Sequence, residues 1–357
     1  MQQNRVAIAI IGAGTIAQTH AAVIEKSPDA ILSAIVDTND AGKNLAEKYH
    51  AKFFGSIEDM LKWQSQLSID AAIVCTPNAT HIPIAESLAA AGINLLIEKP
   101  ISPTYQEGIT FLQACSKKSI GLCVGHHRRF HGIISAARQS LISGSIGTVI
   151  GVSGVWASLK PPEYFQGNGE WRGGLDGGVI LINLIHEVDL LQYLLGSIQR
   201  VYAEKAPSIR NHEAEEGLAA TFRFQSGVVG TFLALDNAAS PFNIEAGTGE
   251  NQELYPFSGQ DCYRIFGTRG TLSIPDNKLW SYAEPEKGRN SKMQNRALDC
   301  EVGDVYEDQL RNFIEVVRGT EDPVCSGEAG LSAVAVCEAI KESLRTNQPV
   351  DVPGGYT

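Results

Sequence analysis

Within the first 125 residues, short apolar runs alternate with amphipathic segments, and this alternation restricts the chain to βαβ units and a parallel sheet. The runs are Val6–Ile11, Leu32–Val36, Ala71–Cys75, Asn94–Ile97 and Gly121–Val124. Between them stand Ile16–Lys26, Gly42–Tyr49, Ile57–Gln64, His81–Ala91 and Tyr105–Lys117, with the spacing of helices. Runs built continuously from Val, Ile and Ala belong to strands covered by helices on both faces.

After about residue 148 the pattern changes. Thr148–Ala157, Leu218–Phe224, Val228–Leu235, Tyr263–Phe266 and Thr271–Ile274 read as strands, several alternating in polarity, with a hairpin turn at Phe224-Gln225-Ser226-Gly227-Val228. A long apolar helix over about Val179 to Leu195 interrupts them and stops at Gly196. Two helices near Val305–Arg318 and Gly327–Arg345 close the chain, and the polar stretch from about Ser281 to Gly303 reads as a loop. The expected architecture is α/β: a doubly wound parallel sheet over 1–125, then an α+β domain over 126–357 with a large, mostly antiparallel open sheet.

Composition narrows the function classes. Lys and Arg total 29 against 40 for Asp and Glu, a net charge of -11, which disfavours nonspecific binding to nucleic acid or anionic lipid. No apolar run reaches the roughly 20 residues that span a bilayer, and no cleavable leader follows the first apolar run. Seven scattered cysteines lack metal-ligand spacing and read as reduced core thiols, so a cytoplasmic location and no metal are expected.

Gly12-Ala13-Gly14-Thr15-Ile16-Ala17 follows the first strand and opens a helix. The first glycine permits the turn, and the second lets backbone approach a pyrophosphate. Ala17 allows close helix–strand packing, and the helix N-terminus offers N–H groups to the anion. Asp37 ends the second strand where a carboxylate accepts hydrogen bonds from an adenosine ribose. Thr38 and Asn39 beside it are uncharged, which favours NAD over NADP as cofactor, with Lys43 as the one nearby cation.

Further motifs sit at strand ends: Cys75-Thr76-Pro77-Asn78 with His81, and Glu98-Lys99-Pro100. Gly125-His126-His127-Arg128-Arg129-Phe130 follows, and the long helix carries Asn183, His186 and Asp189 at spacings of three. Three polar groups on an apolar helix are costly to bury unless they meet partners or a ligand. Together these motifs resemble the glucose–fructose oxidoreductase / inositol dehydrogenase (Gfo/Idh/MocA) family over nearly the whole chain.

The resemblance implies an NAD(P)-dependent oxidoreductase that moves a hydride between nicotinamide and a secondary alcohol or ketone of a sugar, cyclitol or related polar carbocycle. In that reading Lys99 polarises the oxygen, His186 is the acid–base residue, and Pro100 is expected to follow a cis peptide bond. Thr76, Pro77, Asn78, His81 and Glu98 join Gly12, Gly14, Thr15, Ile16, Asp37 and Thr38 around the cofactor. Lys160-Pro161-Pro162-Glu163-Tyr164-Phe165 and Trp171-Arg172-Gly173-Gly174 resemble a loop over the nicotinamide, with Trp171 and Arg172 on the cofactor. His127, Arg128, Lys160, Asn183 and Asp189 are implied substrate contacts, and a homodimer or homotetramer through the second domain's sheet is expected.

One departure matters. Inositol dehydrogenase-like members carry an aspartate four residues before the histidine, where this chain has Ile182. Two alternatives therefore stand beside the dehydrogenase: a redox-assisted lyase or glycosidase that recycles its NAD, and a non-catalytic NAD-binding sensor of the same fold.

Overall fold

Every residue of β1 (Val6–Ile11) is buried, as an all-apolar strand at the centre of a sheet must be. In the computed structural model β1 pairs in parallel with β2 (Ala30–Val36) on one side and β4 (Ala71–Val74) on the other. With β3 (Lys52–Phe54), β5 (Asn94–Ile97) and β6 (Leu122–Val124) the strand order is β3-β2-β1-β4-β5-β6, all parallel. The order reverses between β1 and β4, and ligands of such sheets bind at the carboxyl ends beside that reversal. The structure describes residues 5–354 apart from 119, 176 and 302, and the backbone alone of residue 168.

The chain divides into two compact units, Met1–Phe130 with Gly303–Val334, and His131–Val302 with Ala335–Thr357. In the first, helices Thr15–Lys26, Asp40–Lys48, His81–Ala90 and Tyr105–Cys115 connect the strands. Helix Val305–Arg318 returns to the same core, burying Leu310, Phe313 and Ile314 among Ile8, Ile10 and Ile24. The main chain of Val124 donates to Cys325 O (3.0 Å). Sequence periodicity missed β3, whose three residues are too few to show a period.

The second unit is built on nine strands: β7 (Val149–Ala157), β8 (Ile198–Lys205), β9 (Gly217–Phe224), β10 (Val229–Leu235), β11 (Tyr263–Gly267), β12 (Gly270–Ile274), β13 (Lys278–Tyr282), β14 (Met293–Ala297) and β15 (Val350–Asp351). Their order is β14-β13-β12-β11-β7-β10-β9-β8-β15. The pairings are antiparallel except β7 with β10. On β9 and β10 every second residue is buried, Ala220, Phe222 and Phe224 against Gly230, Phe232 and Ala234, while the other face is exposed.

The hairpin between β9 and β10 closes as expected, Phe224 N–H to Val228 O at 2.9 Å, with Gly227 at φ 92°. The polar stretch after Ser281 is a correction: it holds β14, paired along β13 from Lys278↔Ala297 to Tyr282↔Met293. All five β14 residues are exposed, so the edge strand has no apolar alternation to betray it. Residue 302 of that stretch lies outside the described residues. Among the described residues no helix is long and apolar enough to cross a membrane.

Candidate active site

The glycine turn is shaped by two different constraints. Gly12 has φ 93°, and a Cβ there would lie 2.9 Å from Cys75 O, so β1 and β4 leave room for glycine alone. At Gly14 nothing lies within 4 Å of a Cβ: the space is open. Gly14 caps helix Thr15–Lys26, whose first turn carries no acidic residue and whose N-terminal amides take no side-chain cap from Gly14. Thr15 is exposed and Ile16 half-buried there. Open space in front of uncapped, positively polarised amides fits the pyrophosphate of a dinucleotide.

Asp37, one residue beyond β2, ties this turn in place. Its Oδ2 accepts the Ala13 N–H at 2.7 Å and its Oδ1 the Asn39 N–H at 2.8 Å. Thr38 is exposed beside it. After β4, Thr76 is half-buried and bonds Thr80 through their hydroxyls (2.8 Å), while Pro77 and Asn78 lead into a short 3₁₀ turn. His81 is almost wholly buried and braces two loops at once. Its Nδ1 lies 2.8 Å from Pro100 O and its Nε2 2.8 Å from Thr76 O. Burial pulls the His81 pKa down, against the opposing pull of those two carbonyls.

Lys99 follows β5, half-buried, and its bond to Pro100 is cis. The neighbouring Glu98 is buried, and its Oε1 meets His20 Nε2 at 2.8 Å. Burial would raise the Glu98 pKa, but the His20 hydrogen bond, with the charges of His20, His127 and Lys99, outweighs it and holds the carboxyl below its ordinary range. His127 stacks on Tyr306, ring centroids 4.7 Å apart, and Arg128 is buried beside it in the same 3₁₀ turn. His20 and Tyr306 escaped sequence reasoning. The only signal for His20 was a polar residue on the buried face of the first helix.

In the second unit, the helix that carries the candidate acid–base residue is not regular. A π-helical turn spans Ile180–Leu184 and the α-helix runs Ile185–Leu195, ending at Gly196 with φ 88°. Glu215 braces its start, its Oε1 accepting the Ile180 N–H at 2.9 Å. Burial raises the Glu215 pKa, against that hydrogen bond. Asn183, His186 and Asp189 are all buried, at 6%, 7% and 1% exposure.

Lys160 is drawn to the same helix. Its Nζ donates to Asn183 Oδ1 at 2.6 Å, lies 3.4 Å from Asp236 Oδ2, and sits over the rings of Trp156 and Tyr164. Burial pushes the lysine down to about 8, with Asp236 pulling upward. Asp236 in turn takes Arg210 at 2.6 Å, and Trp156 donates to Glu245 at 2.9 Å. Arg172 lies over Tyr164 and donates to its carbonyl (2.8 Å), whereas Trp171 is half-exposed. Asp236, Arg210 and Glu245 were missed because Asp236 directly follows β10, Arg210 lies in the loop between β8 and β9 and Glu245 lies in the one-turn helix Ile244–Thr248, places where a lone charge reads as solvated.

Two family descriptions match the chain: "oxidoreductase family, NAD-binding Rossmann fold" over residues 6–126, and "oxidoreductase family, C-terminal alpha/beta domain" over 138–352. Myo-inositol 2-dehydrogenase of Thermotoga maritima is 26% identical over 354 residues, covering 96% of this chain and 97% of its own. A 1,5-anhydro-D-fructose reductase of Ensifer adhaerens is 25% identical, covering 97% and 98%. Among solved structures, the WlbA dehydrogenase of Bordetella pertussis, in complex with NADH and UDP-GlcNAcA, has the same fold. It superposes with a TM-score of 0.80 at 24% identity, covering 99% of each chain. A glycine turn open to a pyrophosphate, an aspartate beside it and these two matched halves lead to one conclusion: the chain belongs to the Gfo/Idh/MocA family and is an NAD-binding oxidoreductase.

Proposed function

We propose that the protein interconverts a secondary alcohol and a ketone on a sugar, cyclitol or related polar carbocycle, with NAD as hydride partner. The first 125 residues hold the cofactor, and residues 126–357 hold the substrate and pair with a second copy. Bound nicotinamide supplies the hydride acceptor or donor. The Lys99 ammonium donates a hydrogen bond to the reacting oxygen and stabilises negative charge on it, an effect that strengthens where water is excluded. His186 takes the hydroxyl proton in oxidation and returns it in reduction, a task suited to imidazole. Trp171 and Arg172 cover the cofactor, and His127, Arg128, Asn183 and Asp189 contact the substrate.

The observation that carries this reading is the common placement of the Gly12–Gly14 turn, Asp37 and Lys99 at the carboxyl ends of β1, β2 and β5, where α/β sheets bind their ligands. Lys160 answers the absence of an aspartate at Ile182. It reaches Asn183 on the histidine's helix and links it to Asp236, so a carboxylate still acts on that helix through one ammonium.

Incubation with NAD and a panel of sugars and cyclitols tests the proposal. Net NADH is expected from at least one compound, and Lys99→Ala abolishes it while NADH still binds. Substrate consumption without net NADH would favour the recycled-cofactor lyase. No turnover from any compound in either direction would favour the sensor.

The exposed face of β9 and β10 bears Ala219, Thr221, Val229, Thr231 and Leu233, with Arg223 its one charge, a largely uncharged surface suited to pairing two copies as a homodimer or homotetramer. None of the seven cysteines is in a disulfide and six of them are buried, in keeping with a reducing cytoplasm.

A further inference from the structure

The helix that opens at the phosphate turn also carries His20, and this is where the cofactor site and Lys99 meet through hydrogen bonds. His20 lies six residues beyond Gly14, is 3% exposed, and points its Nε2 at Glu98 Oε1 (2.8 Å). The second oxygen of the same carboxylate, Oε2, lies 3.3 Å from the backbone nitrogen of Lys99 and accepts its N–H. The carboxylate has room because residue 125 is glycine: a Cβ there would stand 2.8 Å from Glu98 Oε2. Tyr306 closes the other side, edge-on to His20 at 5.8 Å.

We propose that His20 and Glu98 form a positioning dyad for Lys99, in which the phosphate-binding helix holds the carboxylate and the carboxylate holds the lysine. The proposal rests on the reading of Lys99 given above, and it adds two residues to which that reading gives no such role.

The groups facing Glu98 are His20, His127 and Lys99, with Cys75 and His81 also within its field. Burial raises the Cys75 thiol well above its ordinary value, and the Glu98 charge adds to that, so Cys75 stays neutral. Attraction between charges is mutual: a carboxylate that Lys99 helps keep ionised favours the ammonium form of Lys99 in return. An unpaired carboxylate at this depth would instead be driven towards its neutral form. His20 prevents that. The dyad therefore gives Lys99 both a fixed backbone and a charge that favours donation to a developing alkoxide.

The test reads Lys99 directly. Trace acetylation of the intact protein, followed by peptide mass analysis across a pH series, gives the titration midpoint of the Lys99 amine. In Glu98→Gln that midpoint moves down by about one pH unit, and in His20→Ala it moves in the same direction. His20→Gln, whose amide can still donate to Glu98, restores most of the wild-type value. In Glu98→Gln kcat on the panel substrate falls about 100-fold, a larger factor than the loss of NADH affinity measured by fluorescence titration. An unchanged Lys99 midpoint in both Glu98→Gln and His20→Ala would overturn the dyad, as would loss of NADH binding in step with activity. If Lys99→Ala keeps turnover, the catalytic reading fails instead, and the labelling result still decides whether the dyad exists.

Discussion

The Asp37 carboxylate accepts the backbone N–H of Ala13 at 2.7 Å, so the acid just beyond β2 also fixes the middle residue of the glycine turn. A charge so placed does two things: it steadies the turn and sets a negative potential beside Thr38 and Asn39. Asp37→Asn keeps an acceptor for Ala13 and removes the charge. We expect NAD affinity to fall about tenfold, equivalent to about 1.4 kcal/mol, and the preference over NADP to shrink. Parallel titrations with NADH and NADPH check this, and an undiminished preference would remove Asp37 as its source.

The two glycines of the turn separate folding from binding. Gly12→Ala places a Cβ 2.9 Å from Cys75 O on a backbone at φ 93°, and is expected to cost more than about 2 kcal/mol of stability. Gly14→Ala meets nothing within 4 Å and leaves the melting temperature close to wild type. Its methyl group enters the space proposed for the pyrophosphate, so NADH affinity is expected to fall. Thermal melts with and without NADH distinguish the two. A Gly14→Ala protein that binds normally would place the phosphates elsewhere.

Much of this was legible in the sequence because period and position reinforce each other in the first sheet. Val6–Ile11 and Asn94–Ile97 coincide with β1 and β5, since buried parallel strands are uninterrupted apolar runs bounded by turns. The glycine turn was equally open to reading, as glycine spacing is a local property. What stayed hidden was tertiary. Nothing near His20 in sequence announces Glu98, 78 positions away, and the π turn at Ile180–Leu184 leaves no mark in an apolar helical pattern. Lys160 and Asp236 converge because they follow β7 and β10, which lie side by side, and Asn183 meets Lys160 from the π turn.

Lys160 gives a stability signature with a definite sign. Its pKa is about 8 when folded, against an ordinary value of 10.5, because burial penalises the ammonium. Between these two pH values the unfolded chain binds more protons than the folded one, so this group's contribution to stability rises as pH increases from 8 to 10.5. Below pH 8 the penalty is fully present. Lys160→Met removes the titration, and its urea-unfolding free energy should rise less steeply over that window, by up to about 1.4 kcal/mol per pH unit. Equal slopes for the two proteins would show that Lys160 stays charged at no cost.

The open face of the second unit's sheet predicts assembly through β9 and β10. Leu233 is 39% exposed and faces the same side as Val229 and Thr231, with Ala219, Thr221 and Arg223 opposite on β9, Arg223 standing across from Val229 at the far end of the patch. A charge introduced there is harmless to an isolated unit, because the side chain already meets solvent, but it becomes an uncompensated buried ion once a second copy covers the face. Leu233→Asp is therefore expected to shift the protein to monomers in light scattering coupled to gel filtration, without changing the far-ultraviolet dichroism. Paired substitution with Thr231→Lys, which offers a partner charge across a two-fold interface, should recover part of the association. Dimers of undiminished stability in Leu233→Asp would move the interface to another surface.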